Sequence, residues 1–554
     1  MLSFFGIVLL FFSWLQPLHF LPWVSWHSEV LSFLAVLMLS ASVLRGQIQL
    51  GADVVVPRAV WPLLLLACIV IVQVGTGRIS FLGDGLVLGF YLALCIGALV
   101  VGRNMSSLNG LGIALLLGAL CSVFIAIVQA MDVWESVTWI VRPTGGVRRP
   151  GANLGQPNQL ATLVLMGMAS LLYFYESRRL SAGFTSVVAA LLLCGLAITE
   201  SRAGVLSAVL MGVWAFSHRR ATALRISAAT VLLAAIGLSV LMWSWPPFVT
   251  FMQEGGWTEV ANAQHVNVSG GTRLVVWPQI VEAILQRPWF GWGVRQVSQA
   301  HNAVVHAYPT SEPFTYAHSV ILDMAVGVGL PLTAAVVVIV AIWLFKRATA
   351  VKSLHAWYCI ALVLPFAVHS MVEFPFAYSY FLLPIMLAIG ALERAVAPDQ
   401  VFRISKKFAT TVVVVVGILM AWSVDEYVRI EEDFRVARFE ALHLGNTPAD
   451  YQRPHIVLLT QLDGLLEVSR IVPRPNMTTA RIALLRNVAM RFPWTATQNR
   501  YALALALNGE HEEAHRQIKV MRAMHGEITH KVLMESWKHL AVTTYPQLME
   551  FVTP

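Results

Sequence analysis

The sequence predicts an all-α polytopic membrane protein that ends in a helical, water-soluble domain. Only 12% of its residues are charged and 57% are hydrophobic, whereas an ordinary soluble domain is about a quarter charged. Apolar runs of roughly 17–25 residues, long enough to cross a bilayer as helices, recur as far as residue 424. From Asp425 onward charge is frequent and the apolar spacing is that of amphipathic soluble helices.

The apolar runs predict about thirteen transmembrane helices. They lie at 3–20, 29–46, 57–74, 84–101, 110–131, 157–176, 183–200, 202–217, 224–243, 318–345, 354–370, 375–396 and 408–424. The seventh and eighth runs are separated only by a turn within TESRAG. The first run is not followed by the small-residue cleavage site of a signal peptide, so we expect a retained helix.

Arginine and lysine orient this predicted bundle, because basic loops favour the cytoplasmic side of a membrane. With a cytoplasmic N-terminus, the basic segments ESRRLSAG, SHRRATALR and FKRATAVKS all fall on that side. An odd number of spans then places the C-terminal domain outside the cytoplasm. We therefore predict a transmembrane domain over 1–424, with a long outer loop at 244–316, and an extracytoplasmic domain over 425–554.

The C-terminal segment PWTATQNRYALALALNGEHEEAHRQIKVMRAMHG predicts two helices joined by a turn at Asn508-Gly509. This pattern is similar to one tetratricopeptide-type hairpin, although an array of such hairpins needs neighbours to bury its faces. The domain would either brace the membrane bundle or dock a protein partner.

Three predicted outer loops, at 141–163, 198–206 and 243–316, carry arginines against the positive-inside tendency. These arginines are Arg142, Arg148, Arg149, Arg202, Arg273, Arg287 and Arg295. Guanidinium groups match phosphate oxygens in bidentate geometry. The loops therefore indicate a site for a multiply charged anion such as a pyrophosphate, with contact to lipid headgroups as the alternative.

Within the longest outer loop, GGTRLVVWPQIVEAILQRPWFGWG predicts a helix that lies in the membrane interface. Its apolar face would consist of Leu274, Trp277, Ile280, Val281 and Ile284. Arg273 would then lie in the first turn, close to the membrane surface, where a lipid-attached substrate would be held.

The segment FTYAHSVILDMAVGVGLP places His318 at the outer end of an apolar run. An ionisable residue at a membrane boundary is a functional candidate by default, and imidazole accepts a proton near neutral pH. His318 is therefore a candidate general base, with a hydrogen-bonded structural histidine as the alternative. His301 is a weaker candidate of the same kind, and Tyr316 either orients His318 or anchors the interface.

Amide side chains cluster in NLGQPNQLATL, where Pro157 suits the first turn of a helix. Gln156, Asn158 and Gln159 would cap that helix or donate hydrogen bonds to a sugar or phosphate. Glu373, in the short segment HSMVEFP, would pair with His369 or with an arginine.

Metal chemistry is not indicated by the sequence. HExxH, P-loop and metal-spaced His/Cys/carboxylate motifs are missing from it. The five cysteines lie inside apolar runs without CxxC spacing, which is typical of small buried hydrophobic side chains. We therefore expect neither a metal nor a cofactor.

Taken together, several segments resemble the bacterial O-antigen ligase/polymerase superfamily, and within it the PglL-type protein O-oligosaccharyltransferases. The segments are RPGANLGQPNQLATL, SRAG, TRLVVW followed by RPWFGWG, FTYAHSVILDMAVGVGLP and HSMVEFPFAYSYFLLP. The resemblance covers most of 140–396, and the tail is similar to the C-terminal extension of that subfamily. One position departs from the pattern, because family members usually have His-Asn where this chain has His318-Ser319.

The resemblance implies a GT-C-like enzyme of the bacterial inner membrane, with its N-terminus cytoplasmic and its active site and C-terminal domain periplasmic. Such an enzyme takes a whole glycan from undecaprenyl pyrophosphate and passes it to a serine or threonine of an exported, pilin-like protein. Membrane lipid would be a partner and nucleic acid would not. No metal or nucleotide is required, because the leaving group carries its own phosphates.

The resemblance also implies roles for particular residues. Arg202 and Arg273 match the cations that bind the donor pyrophosphate, with Arg149 and Arg142 as secondary candidates. His318 matches the base that activates the acceptor hydroxyl, and direct attack would invert the anomeric centre. The remaining candidates are substrate-binding: Gln156, Asn158, Gln159, Tyr316, His301 and Glu373.

Other readings of the sequence remain open. The same chemistry would serve a ligase that acts on lipid A-core or a polymerase that extends a glycan. A transporter would favour internal repeats with paired broken helices, and the sequence has no such repeat. A scaffold anchored by the bundle would leave the outer arginines unexplained.

Overall fold

The structure is a computed structural model that describes residues 1–143, 148–255 and 271–552. Within these ranges it is almost entirely helical, which confirms the predicted all-α polytopic class. Two short strands, β1 (Val54–Pro57) and β2 (Val401–Ile404), pair in antiparallel register with Val54 opposite Ile404.

The helices follow the apolar and amphipathic runs of the sequence. In chain order they are α1 (Leu2–Leu15), α2 (Trp26–Gln49), α3 (Trp61–Gly75), α4 (Leu82–Asn104), α5 (Asn109–Ala130), α6 (Pro157–Glu176), α7 (Ala182–Ile198), α8 (Arg202–His218), α9 (Ala228–Glu254), α10 (Gly271–Gln286), α11 (Val297–Val305), α12 (Val320–Val328), α13 (Leu330–Thr349), α14 (Leu354–Val372), α15 (Ser379–Val396), α16 (Lys406–Ala441), α17 (Thr460–Arg470), α18 (Thr479–Arg491), α19 (Thr495–Leu507), α20 (His511–Thr543) and α21 (Met549–Val552). Gly526 kinks α20.

Ten helices of the described chain are long and apolar enough to cross a membrane: α2–α6, α9 and α13–α16. All thirteen predicted runs contain helix, but α1, α7 and α8 have only 14, 17 and 17 residues. The sequence therefore predicted the places of the helices well and overestimated how many have the full length of a span.

The continuous helix predicted over 318–345 is wrong, because the chain breaks at Gly329. This glycine has φ +84, and a Cβ there would lie 2.4 Å from the carbonyl oxygen of Trp289. Leu330 N–H donates to Pro288 O at 2.7 Å, so only glycine permits this close approach of two backbones. His318 lies in a non-helical segment, two residues before the start of α12.

The described residues within 1–65, 90–266 and 339–420 form one compact unit. Its core lies between α1, α5, α6 and α14, where Tyr358 Oη and Ser170 Oγ share a hydrogen bond of 2.8 Å. Glu29 on α2 is fully buried and accepts a hydrogen bond from Ser379 N–H at 2.9 Å. This contact fixes the start of α15 and with it the two tyrosines that flank Ser379.

The described residues within 66–89, 267–338 and 421–554 form the second compact unit. Helices α10, α11 and α12 share an apolar core that includes Ile280, Val304 and Val326. Asn302 on α11 accepts a hydrogen bond from Gln517 Nε2 on α20 at 3.1 Å. The C-terminal helices therefore share a compact unit with two earlier segments of the chain. The domain boundary expected at residue 425 stays a prediction.

The predicted helical hairpin in the C-terminal region is confirmed. Helix α19 ends at Leu507, Gly509 takes φ +83 in the turn, and α20 begins at His511. Helices α17 and α18 precede this hairpin, and α18 packs against α19, so the hairpin has a helical neighbour.

Helix α10 forms where the interfacial helix was predicted, but its apolar residues divide between two faces. Ile280 and Ile284 are buried within the second unit, whereas Leu274 and Val281 are 77% and 44% exposed. The predicted single apolar face is therefore wrong, because packing against α11 and α12 buries one side of the helix.

Candidate active site

Arginines from two segments of the first unit gather around one carboxylate at the turn between α7 and α8. Arg148 pairs with Glu200 through two hydrogen bonds, of 2.8 Å from Nε and 3.1 Å from Nη2. Burial lowers the pKa of Arg149; nearby Glu200 opposes that shift, and the charges of Arg148 and Arg202 add to it. We call Arg148, Arg149, Glu200 and Arg202 the SRAG-turn cluster.

The SRAG-turn cluster is suited to an anion. It holds three guanidinium groups against one carboxylate, so positive charge is in excess. Arg202 is exposed and begins α8, whose N-terminus adds partial positive charge. Glu200 holds a left-handed backbone, with φ +47, which is uncommon for a residue other than glycine. Such a conformation persists where surrounding contacts impose it.

The first turn of α6 contacts this cluster through Asn158. Ser201 Oγ donates to Asn158 Oδ1 at 2.7 Å, and Asn158 Nδ2 donates to Glu373 Oε1 at 3.3 Å. Glu373 is buried at the C-terminal end of α14. His369 Nδ1, one turn earlier, hydrogen-bonds Thr162 Oγ1 at 2.8 Å. Asn158 and Glu373 thus connect three helix ends around the SRAG turn.

Two other amides of the segment NLGQPNQLATL differ in their surroundings. Pro157 occupies the first turn of α6 as expected, and Gln156 is the residue before it, but the Gln156 side chain does not cap the helix. Asn153, by contrast, donates to the carbonyl oxygens of Leu15 and Ile140, each at 2.7 Å. Capping is therefore not the function of the Gln156 side chain, whereas Asn153 is fully used in holding the backbone.

Gln156, Gln159 and Arg142 line a cleft of about 220 Å³ in the first unit. Its other side chains include His19, Phe374, Tyr378 and Tyr380, which the sequence did not single out. We call this cavity the aromatic cleft, and its residues come from three distant segments of the chain.

In the second unit, the backbone around His318 is held by two other segments. The preceding residue, Ala317, donates its N–H to Asp323 Oδ2 at 3.0 Å. Ala317 O accepts from Trp277 Nε1 at 2.8 Å. The imidazole of His318 packs against the ring of Phe314, with 4.5 Å between centroids, and remains partly exposed. Helix α10 therefore contacts the His318 segment directly through Trp277. Arg273 lies on the same helix, one turn before Trp277.

The two remaining candidates in this unit have different environments. His301 is fully buried, with Nε2 at 2.7 Å from Gln279 Oε1 and 3.0 Å from Ser311 Oγ. Burial lowers the pKa of His301 to about 4, so the imidazole is neutral at pH 7 and fits a structural role. Tyr316 is partly exposed, and the guanidinium of Arg295 lies 5.9 Å from its ring centroid.

Three profiles of known protein families match parts of this chain. The profile of the family described as "O-Antigen ligase" matches residues 187–337, and that of "Protein glycosylation ligase" matches 150–175. A third, "Virulence factor membrane-bound polymerase, C-terminal", matches 357–537. These parts of the chain thus resemble the O-antigen ligase superfamily. The chain is an enzyme, a glycosyltransferase.

Two relatives, both from Acinetobacter baylyi, are similar to this chain over much of their length. The general O-oligosaccharyltransferase is 28% identical over 537 residues, which cover 94% of this chain and 91% of the relative. The ComP-specific O-oligosaccharyltransferase is 24% identical over 64% of this chain and 66% of the relative. The predicted resemblance is thereby confirmed.

The O-antigen ligase profile spans Arg202, Arg273 and His318, and the glycosylation ligase profile spans Gln156 and Gln159. The aromatic cleft was not found from sequence, although its tyrosines stand in the conspicuous segment FPFAYSYF. Aromatic residues are so common at membrane boundaries that this signal does not by itself predict a ligand site.

Proposed function

We propose that this chain is a protein O-oligosaccharyltransferase. It transfers an oligosaccharide en bloc from undecaprenyl pyrophosphate to serine or threonine hydroxyls of exported, pilin-like proteins. The observation that carries the proposal is the similarity over 94% of the chain to a general O-oligosaccharyltransferase. The proposed location is the inner membrane, with a cytoplasmic N-terminus and with the active site and C-terminal domain in the periplasm.

In the proposed reaction, the acceptor oxygen attacks C1 of the sugar that is attached to the diphosphate. The new O–C1 bond forms as the bond between C1 and the phosphate oxygen breaks, with inversion at C1. The acceptor proton passes to the imidazole of His318, which is partly exposed and has a fixed backbone. The undecaprenyl diphosphate leaves with the bonding electron pair.

Developing charge on the diphosphate is stabilised by arginines. Arg202 and Arg149 act from the SRAG-turn cluster, where the excess of guanidinium groups supports the assignment. Arg273, on the helix that contacts the His318 segment, is the third proposed cation. Preorganised donors of this kind contribute about 3–4 kcal/mol each to a transition state, so no metal ion is required.

Substrate contacts are proposed for the side chains around these groups. Gln156 and Gln159 bind the donor from the aromatic cleft, together with Arg142. Asn158 hydrogen-bonds both Ser201 of the SRAG turn and Glu373, so this pair holds the turn in place. Tyr316, two residues before His318, is proposed to contact the substrate. His301, which is fully buried, supports the His318 loop through Ser311.

The proposal is tested with the purified full chain in liposomes that contain a lipid-linked oligosaccharide. A pilin-like protein and lipid A-core are offered as separate acceptors. We expect glycan on the protein, and His318→Ala to lower that rate by about 10²–10⁴-fold, the contribution of a general base. His443→Ala is the matched control, because His443 is exposed and has the same φ of +53.

Full activity of His318→Ala would remove this residue from the mechanism. Transfer to lipid A-core alone would instead support the second candidate function, that of an O-antigen ligase, which the matching family profile favours. Extension of the lipid-linked glycan without either acceptor would indicate a polymerase.

A further inference from the structure

The aromatic cleft and the SRAG-turn cluster have different chemistry, although both belong to the first unit. The cluster contains three arginines, whereas Arg142 is the one guanidinium that lines the described part of the cleft. Burial, and secondarily the charge of Arg142, lower the pKa of His19 to about 4. His19 is therefore neutral at pH 7, and amides, phenols and an imidazole dominate the lining of the cleft.

One wall of the cleft is a continuous aromatic surface. The rings of Phe374 and Tyr378 are stacked, with centroids 5.8 Å apart and an interplanar angle of 28°. Tyr380 extends this surface, with its centroid 5.3 Å from that of Tyr378. The electron-rich face of an aromatic ring attracts the slightly positive C–H groups on the apolar face of a sugar. Such a wall fits a pyranose better than a phosphate.

The cleft also presents fixed polar groups. Tyr380 Oη donates to Gln159 Oε1 at 3.2 Å, which orients the carboxamide. Gln156 follows Gly155, against which the guanidinium of Arg142 lies so closely that a Cβ would be 1.6 Å from Nη1. His19 Nε2 is 2.6 Å from Asn153 O. Hydrogen-bonding groups held in this way suit sugar hydroxyls or an acetamido group, because little conformational entropy is lost on binding.

The position and the volume of the aromatic cleft indicate which part of a lipid-linked glycan donor it would hold. Gln159 lines the cleft, and its neighbour Asn158 hydrogen-bonds Ser201 of the SRAG turn. Two consecutive residues in the first turn of α6 thus contact the proposed phosphate site and the cleft. A cleft of about 220 Å³ is smaller than the roughly 300–1,000 Å³ of drug-sized ligand sites, so it accommodates about one sugar ring.

We propose that the aromatic cleft binds the sugar ring that is attached directly to the diphosphate of the donor. Tyr378 packs against the apolar face of that ring, and Gln156, Gln159 and Arg142 hydrogen-bond its substituents. The inference rests on the proposed function insofar as it takes the donor to be a lipid-linked glycan. It adds that the enzyme recognises the first sugar and not only the diphosphate.

The test measures equilibrium binding of two carriers to the full chain in nanodiscs, without any acceptor. One carrier is undecaprenyl diphosphate, and the other bears a single N-acetylhexosamine. We expect Tyr378→Ala to weaken binding of the sugar-bearing carrier about tenfold, the worth of one good aromatic contact. Binding of the sugar-free carrier should be unchanged, and Tyr378→Phe, which keeps the ring, should bind both carriers as the wild type does.

Equal weakening of both carriers by Tyr378→Ala would assign the cleft to the diphosphate and overturn the proposal, as would no weakening of either. Gln156→Ala, which leaves the aromatic wall intact, is the second variant and should show the same selectivity for the sugar-bearing carrier. Because no acceptor is present, a wild type that binds the sugar-bearing carrier but fails to glycosylate protein would contradict the proposed function and leave this inference standing. A wild type that binds neither carrier would contradict both.

Discussion

Asp323 holds the backbone of His318 in place, because its Oδ2 accepts a hydrogen bond from the N–H of Ala317 at 3.0 Å. The Asp323 N–H in turn donates to Ser319 O at 2.8 Å. His318, between these two contacts, has φ +53, a conformation that residues with a side chain seldom adopt. We therefore propose that Asp323 is a positioning residue for the proposed base.

We predict that Asp323→Ala lowers kcat about tenfold or more with little change in the KM for the donor, because a misplaced base weakens only the chemical step. Asp323→Asn keeps an oxygen that accepts from Ala317 N–H, so it should restore most of the rate. Initial rates with reconstituted enzyme measure both constants. A variant that merely unfolds would lose active protein without this rescue, and equal rates for the two variants would contradict the positioning role.

Arg202 is predicted to contribute to donor use through its charge at the start of α8. Arg202→Ala should lower kcat/KM for the lipid-linked donor by about 10²-fold or more, the typical loss on removing one preorganised donor. Arg220→Ala is the matched control, since Arg220 is exposed just beyond the other end of α8. Equal activity of the two variants would argue against the SRAG-turn cluster as the phosphate site.

Gly155 is predicted to be essential for the placement of Arg142. It has φ +77, and an added Cβ would lie 1.6 Å from Arg142 Nη1, so Gly155→Ala should displace the guanidinium and weaken donor binding. In an Arg142→Ala background the same substitution should add little, because the two effects share one cause. Gly51→Ala is the control: Gly51 has φ +66 but nothing within 4 Å of the added Cβ. If the two substitutions weaken donor binding additively in the double variant, Gly155 does not act through the placement of Arg142.

His301 is predicted to make the protein less stable in acid. Burial lowers its pKa from 6.5 to about 4 in the folded state, so between these values only the unfolded chain binds the proton. Stability is then fully present above pH 6.5 and falls as the pH is lowered toward 4, by up to about 1.4 kcal/mol per pH unit. Thermal unfolding at pH 7 and pH 5 should show a smaller drop for His301→Gln than for the wild type. An identical drop in both would exclude His301 as a source of acid sensitivity.

The sequence correctly predicted those features that depend on the backbone angles of single residues. Helix α6 begins at Pro157 and the hairpin turns at Asn508-Gly509, as predicted, because proline and glycine act on their own backbone angles. The break at Gly329 was missed, although its residues are conspicuous in the sequence. Its cause is the backbone of residues 288 and 289, which lie about forty positions earlier in the chain.

By itself the sequence determined the all-α membrane class, the positions of the helices and, through its family motifs, the kind of chemistry. The length of the apolar runs suffices for the class and for the helix positions, because each helix satisfies its own backbone hydrogen bonds. Only the tertiary structure decided that Tyr378 faces the same cleft as Arg142 and Gln159, and that Asp323 supports Ala317. Packing between segments more than two hundred residues apart creates the cleft, and no local pattern encodes which side chains such packing will bring together.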